Sequence, residues 1–458
     1  MLHDAHGFWI AEAGSPEALP ALAGDHSADV VVVGGGYTGL WTAWHVLAAE
    51  PDADVVVLEG ARCGHGPSGR NGGFVTGMDL VLPALRRDAG DAAAEAWVAA
   101  ARETVDAIGA WCEAEGVDAR YRKGGELVVS TAPAQDGGTG ADAVDGVTVL
   151  AQSAEQARAR CDSPVFRGGV FVPAAATVHP ARLAFGLRER LLARGARIYE
   201  RTRATGMRPA PEGIAVRTAG GRVSAPVAVL AIGAASGTLE PLRDRLTVSS
   251  SHVVCTEPVP DVLERLGWDG GEAISDARAL LHYTRTTRDH RIVFGWAGGR
   301  MAAGARPGGR MEVDAGVVEQ VKRDLLRFFP QLAGRRIEHA WGGPIDVSPT
   351  HRPAIVGLRS LSAWAALGYT GNGVGPTHLL GRALAALALD RRDPVTRLPF
   401  VDPPPRSVPP EPLRVAGAAV IRRALVRKEA AEEAGRRVDP LTAGVAALPR
   451  VFGVHIVR

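Results

Sequence analysis

Two short apolar runs near the start of the chain have the pattern of buried parallel strands. Residues 29–33 end in a glycine-rich turn, and residues 40–47 then place apolar side chains at helical spacing. A second apolar run, residues 53–58, ends in Glu59. A strand, a glycine turn, a helix and a second strand in this order predict the first unit of a nucleotide-binding sheet.

The glycine turn after the first strand fills a G-x-G-x-x-G pattern with Gly34, Gly36 and Gly39. The first glycine permits a tight turn, the second leaves room for a phosphate against the backbone, and the third lets the helix pack closely on the strand. Glu59 follows about 20 residues later, where a carboxylate suits a ribose hydroxyl. These features predict a dinucleotide site, and the alternative is a glycine-rich turn without a ligand.

Strand and helix patterns alternate through the rest of the chain. Residues 227–232 run into Gly233 like the return strand of a nucleotide-binding sheet. Residues 248–294 contain several β runs and a short helix near 260–266, which favours a separate antiparallel sheet. Helical spacing predicts further helices at residues 84–115, 181–193, 316–329, 378–389 and 413–437.

We therefore predict a mixed α/β (α+β) fold with a Rossmann-like dinucleotide-binding domain, an inserted mixed or antiparallel β-sheet substrate domain and a C-terminal helical tail. The predicted dinucleotide-binding domain takes residues 1–115, 151–245 and 341–400, the substrate domain takes residues 116–150 and 246–340, and a proline-rich linker with the tail takes residues 401–458.

Charge and cysteine content narrow the function classes. The 458 residues include 52 basic and 50 acidic side chains, so the net charge of +2 gives no nucleic-acid footprint. The 4 cysteines are far apart and show no metal-ligand spacing. No apolar run approaches the roughly 18 residues of a membrane-spanning helix. We expect a cytoplasmic protein with no metal, no nucleic-acid partner and no integral membrane segment.

The predicted tail helix, residues 413–437, is apolar at some positions and rich in arginine at others. Packing on the body of the protein or on a second subunit is favoured, so a homo-oligomer formed through the tail is one expectation. Binding to an anionic membrane surface is the less favoured alternative.

Residues 64–74 lie just after the predicted ribose carboxylate and combine several glycines with Ser68, Arg70 and Asn71. Such a loop suits backbone packed directly on a flat ring system and its phosphates. Here the chain resembles the FAD-dependent D-amino-acid oxidase superfamily, particularly its glycine oxidase and sarcosine oxidase branch. Within that superfamily it is most similar to the γ-glutamylputrescine oxidoreductase-like and aminophosphonate oxidoreductase groups.

The resemblance covers nearly the whole chain, because separated motifs occur in the family's order. They are residues 8–9, 68–73, 282–285, 341–346, 368–376 and 409–414. The resemblance implies FAD bound in an extended form, and oxidation of an amine to an imine that water hydrolyses. Some relatives tether the flavin through Cys or His, but Cys63 and His65 match no tethering motif, so non-covalent FAD is expected.

The resemblance also implies roles for cofactor residues. Ser68 and Arg70 would lie at the pyrophosphate, residues 71–73 at the isoalloxazine edge, residues 371–375 at the pyrimidine end, and Met207 at the adenine through its backbone. Structural turns and an ordinary core methionine are the alternatives. The predicted cofactor-binding residues are Gly34, Gly36, Tyr37, Thr38, Gly39, Glu59, Ser68, Arg70, Asn71, Gly72, Gly73, Met207, Gly233, Gly371, Asn372, Gly373, Val374 and Gly375.

The substrate residues are predicted around one strand. Alternation places Tyr283 and Arg285 on one face and His282 on the other. Tyr283 matches the position of a substrate-contacting tyrosine in glycine oxidases, and Arg285 would hold an anionic group of the substrate or else form a structural ion pair. The arginine that binds the substrate carboxylate in amino-acid oxidases is missing from residues 343–346, where Asp346 instead suggests attraction for an amine or a hydrogen-bonded structural role. The predicted catalytic set is Tyr283, Arg285, His282 and Asp346.

The sequence thus predicts FAD-dependent oxidation of a small primary or secondary amine by hydride transfer to flavin N5. The predicted substrates include aminophosphonates and amino-acid-like compounds, and the predicted oxidant of the reduced flavin is O₂. The alternatives are a dehydrogenase that uses another electron acceptor, a flavoprotein without turnover, and NAD in place of FAD.

Overall fold

The structure, a computed structural model, describes residues 2–3, 6–139, 148–306 and 308–451. Part of the predicted range 116–150 and the end of the predicted tail lie outside these residues. The helices are α1 (Gly7–Ala13), α2 (Tyr37–Ala49), α3 (Pro67–Arg70), α4 (Leu82–Ala89), α5 (Asp91–Ala114), α6 (Ala154–Arg160), α7 (Pro180–Ala193), α8 (Pro260–Leu266), α9 (Ala315–Phe328), α10 (Val374–Ala388), α11 (Leu413–Glu433) and α12 (Pro440–Val451).

The strands are β1 (Leu2–His3), β2 (His26–Ser27), β3 (Val30–Val33), β4 (Val55–Leu58), β5 (Phe74–Val75), β6 (Glu126–Val129), β7 (Leu150–Ser153), β8 (Gly168–Val172), β9 (Ala176–Thr177), β10 (Arg197–Tyr199), β11 (Gly206–Ala210), β12 (Gly213–Arg217), β13 (Arg222–Ala225), β14 (Val227–Leu230), β15 (Thr247–Thr256), β16 (Ala273–Asp276), β17 (His282–Thr286), β18 (Ile292–Trp296), β19 (Ile337–Val347), β20 (Ala354–Leu358) and β21 (Ala363–Leu367).

The predicted nucleotide-binding sheet is confirmed. Six strands lie in the order β10-β4-β3-β14-β21-β20. The first five run parallel and β20 runs antiparallel to β21. All four residues of β3 and of β4 are buried. A core that includes side chains from α2, α5, α7 and α10 packs against this sheet. Apolar runs without alternation are typical of strands covered on both faces.

The second large sheet has nine strands in the order β1-β19-β15-β18-β17-β16-β6-β8-β7. It is mixed, because the pairs β1–β19 and β16–β6 are parallel and the other pairs are antiparallel. The inserted mixed sheet is therefore confirmed. A four-stranded sheet, β11-β12-β13-β2, contains the predicted hairpin after residue 206.

The sheets divide the chain at other points than the predicted domain boundaries. All of β8 and all but the first residue of β7 fall in the predicted range 151–245, and β19 begins before and ends inside the range 341–400, yet all three strands belong to the nine-stranded sheet. An apolar strand pattern indicates burial but does not identify the partner strand. That partner is fixed by pairing over long sequence separations.

Two helix boundaries also differ from the prediction. The helical pattern at 84–115 is split into α4 and α5 at Gly90, whose φ of 81° lies in the left-handed region. The helix predicted from residue 378 begins at Val374, since Pro376 fits within the first turn of α10.

The tail packs on the body of the protein, as favoured from its sequence. Arg422 of α11 donates to the backbone oxygen of Gly298, and Glu429 accepts from the backbone of Leu280. Within the described parts of the chain, no helix combines the length and the apolar character that a bilayer crossing requires.

Candidate active site

A cavity of about 1010 Å³ opens where the strands of the six-stranded sheet end. Gly34 follows β3, Glu59 follows β4 and Gly233 follows β14, and all three line it. The cavity then extends to Tyr283 and Asp346 in the nine-stranded sheet. Open parallel sheets bind ligands beyond the carboxyl ends of their strands.

The glycine turn before α2 is built from close backbone contacts. Gly34 has a φ of 114°, and a Cβ on Gly39 would lie 1.9 Å from the Gly34 oxygen. Gly36 occupies the N-cap position of α2 and has no side chain to bond to the first backbone N–H groups of the helix. The helix therefore presents its positive N-terminal end to the cavity, which suits an anion.

Ser68 reaches this helix end from the second glycine-rich loop. Its Oγ accepts a hydrogen bond from the backbone N–H of Tyr37 at 2.8 Å. The Ser68 hydroxyl acts as an acceptor in this bond, and donation of its own proton to a phosphate stays a prediction.

Glu59 connects the two nearby turns. Its carboxyl oxygens accept from the backbone N–H groups of Gly35 and Ala61, each at 2.7 Å. Burial raises the pKa of Glu59, although these two hydrogen bonds oppose the shift. Each oxygen keeps a second lone pair, so the carboxylate has the capacity to accept from ribose hydroxyls.

The loop after α3 holds itself in shape through Asn71. The Asn71 side-chain amide donates to the backbone oxygen of Ser68, and the Asn71 Oδ1 accepts from the Gly73 N–H at 2.7 Å. A Cβ on Gly72 would lie 3.0 Å from the ring of Tyr283. Glycine is thus needed where this loop passes the aromatic ring.

Arg70 joins the same loop to the nine-stranded sheet. Its guanidinium is buried and donates to the Gly342 oxygen at 3.3 Å, while its own backbone oxygen accepts from the Trp341 indole at 2.8 Å. Arg70 lines the cavity, and its contact with a pyrophosphate stays a prediction.

The third glycine-rich segment, residues 371–375, leads into α10, whose N terminus has no side-chain cap. The Asn372 Oδ1 accepts from Thr76 at 3.0 Å. Asp346 holds the preceding turn, because its carboxyl accepts from the Gly368 N–H at 2.6 Å. Burial raises the pKa of Asp346 to about 6 even though backbone hydrogen bonds oppose the shift.

Tyr283 projects from β17 into the substrate end of the cavity. Its hydroxyl lies 2.8 Å from Ser251 Oγ, and Ser251 donates its proton to the Trp296 oxygen at 2.9 Å. Because a serine hydroxyl has one proton, Tyr283 must be the donor in its bond with Ser251. The Tyr283 oxygen therefore keeps acceptor capacity toward the cavity.

Arg285 shares the Tyr283 face of β17, as predicted, but it does not line the cavity. Its guanidinium is buried and donates to the backbone oxygens of Val178 (2.6 Å) and Gly73 (3.3 Å). Burial lowers the pKa of Arg285 to about 9, and the nearby charge of Arg122 adds to the shift. These contacts give Arg285 a structural position behind the loop, in place of the expected reach toward an anionic substrate group.

His282 lies on the opposite face of β17, turned away from the cavity. Its Nδ1 is 2.8 Å from Asp276 and its Nε2 is 3.1 Å from Asp324 on α9. Burial lowers the pKa of His282, but the two carboxylates outweigh burial and leave the pKa raised. The predicted catalytic role conflicts with this position, because two buried carboxylates occupy both ring nitrogens.

Most predicted residues come together around one cavity. Those lining it are Gly34, Gly36, Tyr37, Thr38, Glu59, Ser68, Arg70, Asn71, Gly72, Met207, Gly233, Tyr283, Asp346, Gly371, Asn372, Gly373 and Val374. Gly39, Gly73 and Gly375 lie just outside and shape its backbone, since a Cβ on each would meet a neighbouring backbone oxygen at 2.8 Å or less.

Two contributors were missed from the sequence. Ser251, which orients Tyr283, lies in a serine run with no distinguishing pattern. Tyr369 donates or accepts in a 2.8 Å contact with Thr38. Thr38 and Tyr369 lie in the two copies of Gly-Tyr-Thr-Gly, at residues 36–39 and 368–371. The repeated tetrapeptide was therefore a signal in the sequence for Tyr369.

Comparisons with known proteins agree with this architecture. Residues 29–387 match the family model described as FAD dependent oxidoreductase. The chain is 30% identical to gamma-glutamylputrescine oxidoreductase of Escherichia coli (strain K12) over 92% of this chain and 98% of that protein. It is 28% identical to the probable oxidoreductase OrdL of Rhizobium meliloti (strain 1021), over 84% and 89%. The glycine oxidase of Geobacillus kaustophilus superposes with a TM-score of 0.67 at 20% identity, over 82% of this chain and 98% of that one.

The residues present fit FAD. Backbone glycines leave a cradle at Gly36 and Gly72 that side chains would fill, the N-terminal ends of α2 and α10 face the cavity, and Glu59 lies beyond the second strand. An anionic pyrophosphate would suit the helix ends and a ribose would suit Glu59. Cys63 is buried beside Gly35, where its Sγ would lie 2.5 Å from an added Cβ.

Proposed function

The chain belongs to the FAD-dependent oxidoreductase family, and we propose that it oxidises a small primary or secondary amine to an imine. Water then hydrolyses the imine to a carbonyl compound and the released amine or ammonia. The observation that carries this proposal is the hydrogen bonding of the Tyr283 hydroxyl, which gives its proton to Ser251 and so leaves its oxygen able to accept a hydrogen bond.

An acceptor at this position favours an amine over an anionic group. Burial raises the pKa of Tyr283 to about 12, although the hydrogen bond with Ser251 opposes the shift, so the hydroxyl stays neutral near pH 7. A neutral acceptor binds an amine N–H without requiring the amine to be charged. An uncharged amine is the form from which hydride leaves most easily, because its nitrogen lone pair stabilises the carbon that loses the hydride.

The lining also argues against an ordinary α-amino-acid substrate. Residues 343–346 supply no arginine, and the Arg285 guanidinium is turned toward backbone oxygens. The carboxyl of Asp346 lines the cavity instead, and a carboxylate attracts a protonated amine. Neither residues 343–346 nor Arg285 therefore supplies a cation for a carboxylate directly beside the reacting carbon.

The chemistry that FAD supplies when bound is acceptance of a hydride from the carbon that bears the amine. The chain's own contribution is positioning and dipoles. The N terminus of α10 directs its positive end into the cavity, where it stabilises developing negative charge. The ring of Tyr283, packed on Gly72, sets how closely the substrate approaches the flavin-side loop.

An anaerobic amine screen tests the proposal. The purified yellow protein is mixed without O₂ with alkylamines, methylated amines, polyamine conjugates and aminophosphonates, and flavin absorbance is followed. We expect at least one class to bleach the flavin. Bleaching by none would favour the alternative of a flavoprotein without turnover and overturn the proposal.

We propose O₂ as the electron acceptor. The test is release of hydrogen peroxide during turnover in air with the best amine. Peroxide in proportion to the amine consumed supports an oxidase. Flavin reduction by the amine without peroxide in air would contradict this choice and favour a dehydrogenase that passes electrons to another carrier.

We also propose a cellular location and an oligomeric state for the enzyme. Free, buried cysteines at all four positions are consistent with the reducing cytoplasm as its location.

A homo-oligomer formed through the tail is supported by exposed apolar side chains on its helices, Leu413, Val420 and Leu441. Sedimentation of the full chain and of a Val420→Asp variant tests this, since the variant should shift toward the monomer.

A further inference from the structure

A second cavity, of about 700 Å³, continues from the substrate end of the first. Leu281, Ala297, Ile345 and Tyr369 line both. Most of its remaining wall is apolar, and the tail helix α11 supplies one side of it. The α11 residues with apolar side chains on this wall are Leu413, Ala416, Ala418, Val420, Ile421 and Leu425. The site of oxidation thus opens into an apolar passage that the tail helps to enclose.

Four arginines line this passage, and three of them already face an acid. The pairs are Arg278 with Asp276 and Glu433, Arg352 with Asp88, and Arg414 with Glu411. Arg422, on α11, has no carboxylate within the 4.0 Å of an ion pair among the described residues. The hydrogen-bond partner of its guanidinium is instead a neutral backbone oxygen, while the charge of Asp314 acts on it from farther away and the Trp296 ring centroid lies 5.7 Å from its Cζ.

That neutral partner fixes where the guanidinium lies. The Arg422 Nε and one terminal nitrogen both donate to the backbone oxygen of Gly298, the former at 2.8 Å. Two of the five N–H bonds of a guanidinium are used in this way. A half-buried guanidinium with unused donors in an apolar passage is suited to an anion, because charge-assisted bidentate pairs are the strongest hydrogen bonds available to it.

The backbone that holds Arg422 is the same backbone that orients Tyr283. The ring of Tyr283 packs against Gly295, the Trp296 oxygen takes the Ser251 proton, and Gly298 binds Arg422. Three residue steps separate Gly295 from Gly298, so their Cα atoms lie at most about 11 Å apart. Tyr283 and Arg422 are therefore both held by one short backbone segment, residues 295–298.

We propose that Arg422 binds the anionic end of the substrate, so that the preferred substrate is an amine joined by an apolar chain of several carbons to a carboxylate or phosphonate. This inference rests on the proposed amine oxidation. It explains how an anionic substrate is bound although residues 343–346 carry no arginine, since the cation comes from the tail and meets a group remote from the reacting carbon.

The first test compares two series of amines in anaerobic flavin reduction. One series contains ω-amino carboxylates and ω-amino phosphonates of increasing chain length, and the other contains n-alkylamines with the same carbon numbers. We expect the wild type to prefer the anionic series at one intermediate length by about 10-fold or more, the size of a charge-assisted hydrogen bond. A preference for the n-alkylamines at every length would overturn the inference.

Variants locate the effect. Arg422→Gln keeps a donor for the Gly298 oxygen but removes the charge, and should abolish the preference for the anionic series while leaving the n-alkylamines unchanged. Arg422→Lys should restore part of it. Arg423→Gln is the matched control, because Arg423 is the exposed neighbour on α11 and does not line the passage. An equal loss for both series in Arg422→Gln would mean a structural role and contradict the inference.

A binding measurement without turnover separates this inference from the proposed function. Alkanoates lack an amine, so their binding is read from the change that they cause in flavin absorbance. We expect Arg422→Gln to raise the Kd of the best alkanoate about 10-fold, and Arg423→Gln to leave it unchanged. An unchanged Kd in Arg422→Gln overturns the inference even if amines are oxidised. If no amine bleaches the flavin while Arg422 still binds alkanoates, the proposed function fails by itself.

Discussion

The two ends of the cavity beside the six-stranded sheet differ in which parts of the chain form them. The cofactor end is made largely of backbone, from the glycine-rich segments at residues 34–39 and 68–73 and the start of α10. The substrate end is made of side chains from strands far apart in sequence, among them Ser251 and Tyr283. Backbone sites follow from a local glycine pattern, whereas side-chain sites exist only after distant strands have paired.

This difference is consistent with a family that shares one cofactor, FAD, while its members are named for different substrates. Glycines that contact one another leave little room for variation at the cofactor end. At the substrate end, we expect a single exchange, such as the absence of an arginine from residues 343–346, to change which group is bound. Changes at the two ends should therefore have separable effects on flavin content and on amine specificity.

The largest effect is expected from Gly39→Ala, at the cofactor end. The added Cβ would lie 1.9 Å from the Gly34 oxygen, so α2 must move away from the glycine turn where we expect the phosphates to bind. We expect purified Gly39→Ala to be colourless, as measured by flavin absorbance per chain, with circular dichroism recorded to verify folding. Gly137→Ala is the control, since nothing lies within 4 Å of its added Cβ and Gly137 does not line the cavity. A folded Gly39→Ala protein with full flavin content would refute the backbone description of this end.

The next largest effect is expected from Tyr283→Phe, at the substrate end. The ring still packs on Gly72, but the acceptor for the amine is lost. A hydrogen bond between neutral groups contributes about 0.5–1.5 kcal/mol, so kcat/KM for the best amine should fall roughly 2- to 10-fold. Flavin content should stay normal.

Tyr121→Phe provides the matched control for this change. Its hydroxyl donates to the Val105 oxygen at 3.0 Å and it does not line the cavity. Both variants should retain their flavin, and only Tyr283→Phe should lose activity. Equal activities for the two variants would remove Tyr283 from the substrate site.

A third change, Arg285→Ala, separates stability from specificity. Its guanidinium donates to the backbone oxygens of Val178 and Gly73, and the Gly73 oxygen also accepts from the Val178 N–H. The variant therefore removes the donor of the Val178 oxygen, and an unpaired buried oxygen costs about 1–3 kcal/mol. We expect the free energy of unfolding in urea to fall by about 1–3 kcal/mol, with little change in the KM of the remaining folded enzyme. Arg288→Ala, three residues on with an exposed side chain, should leave both unchanged. A raised KM at unchanged stability would return Arg285 to the substrate-binding role first predicted.

Arg285 and Tyr283 show how far sequence reasoning reaches. Alternation along β17 correctly placed both on one face, and the three glycine-rich segments lie together around one cavity, where their contacts with the cofactor stay a prediction. Alternation does not give depth, however, and Arg285 lies behind the residues 71–73 loop that Tyr283 contacts. The role of Ser251 depends on the pairing of β15 with β18, and the assignment of β7, β8 and β19 depends on equally distant partners. These features come from long-range pairing, for which a single sequence carries no local signal.

The smallest effect concerns the face of β17 turned away from both ends, where His282 lies between Asp276 and Asp324. Burial disfavours the charged imidazole, but the two carboxylates outweigh burial and raise the pKa of His282 above its ordinary value. The folded state therefore binds this proton more tightly than the unfolded chain does. The resulting stabilisation is complete below pH about 6.5 and is lost as pH rises through the folded pKa, by about 1.4 kcal/mol for each unit of pKa elevation.

The measurement is the free energy of urea unfolding of the wild type and of His282→Gln between pH 6 and pH 9. Because glutamine does not titrate, the difference between the two proteins should shrink as pH rises, whereas His290→Gln, at a loop position away from these carboxylates, should follow the wild type. Flavin reduction by the best amine should keep the same pH profile in folded His282→Gln, since this face does not line the cavity. An altered pH profile of reduction, with a constant stability difference, would instead place His282 in the reaction and break the separation of the two faces.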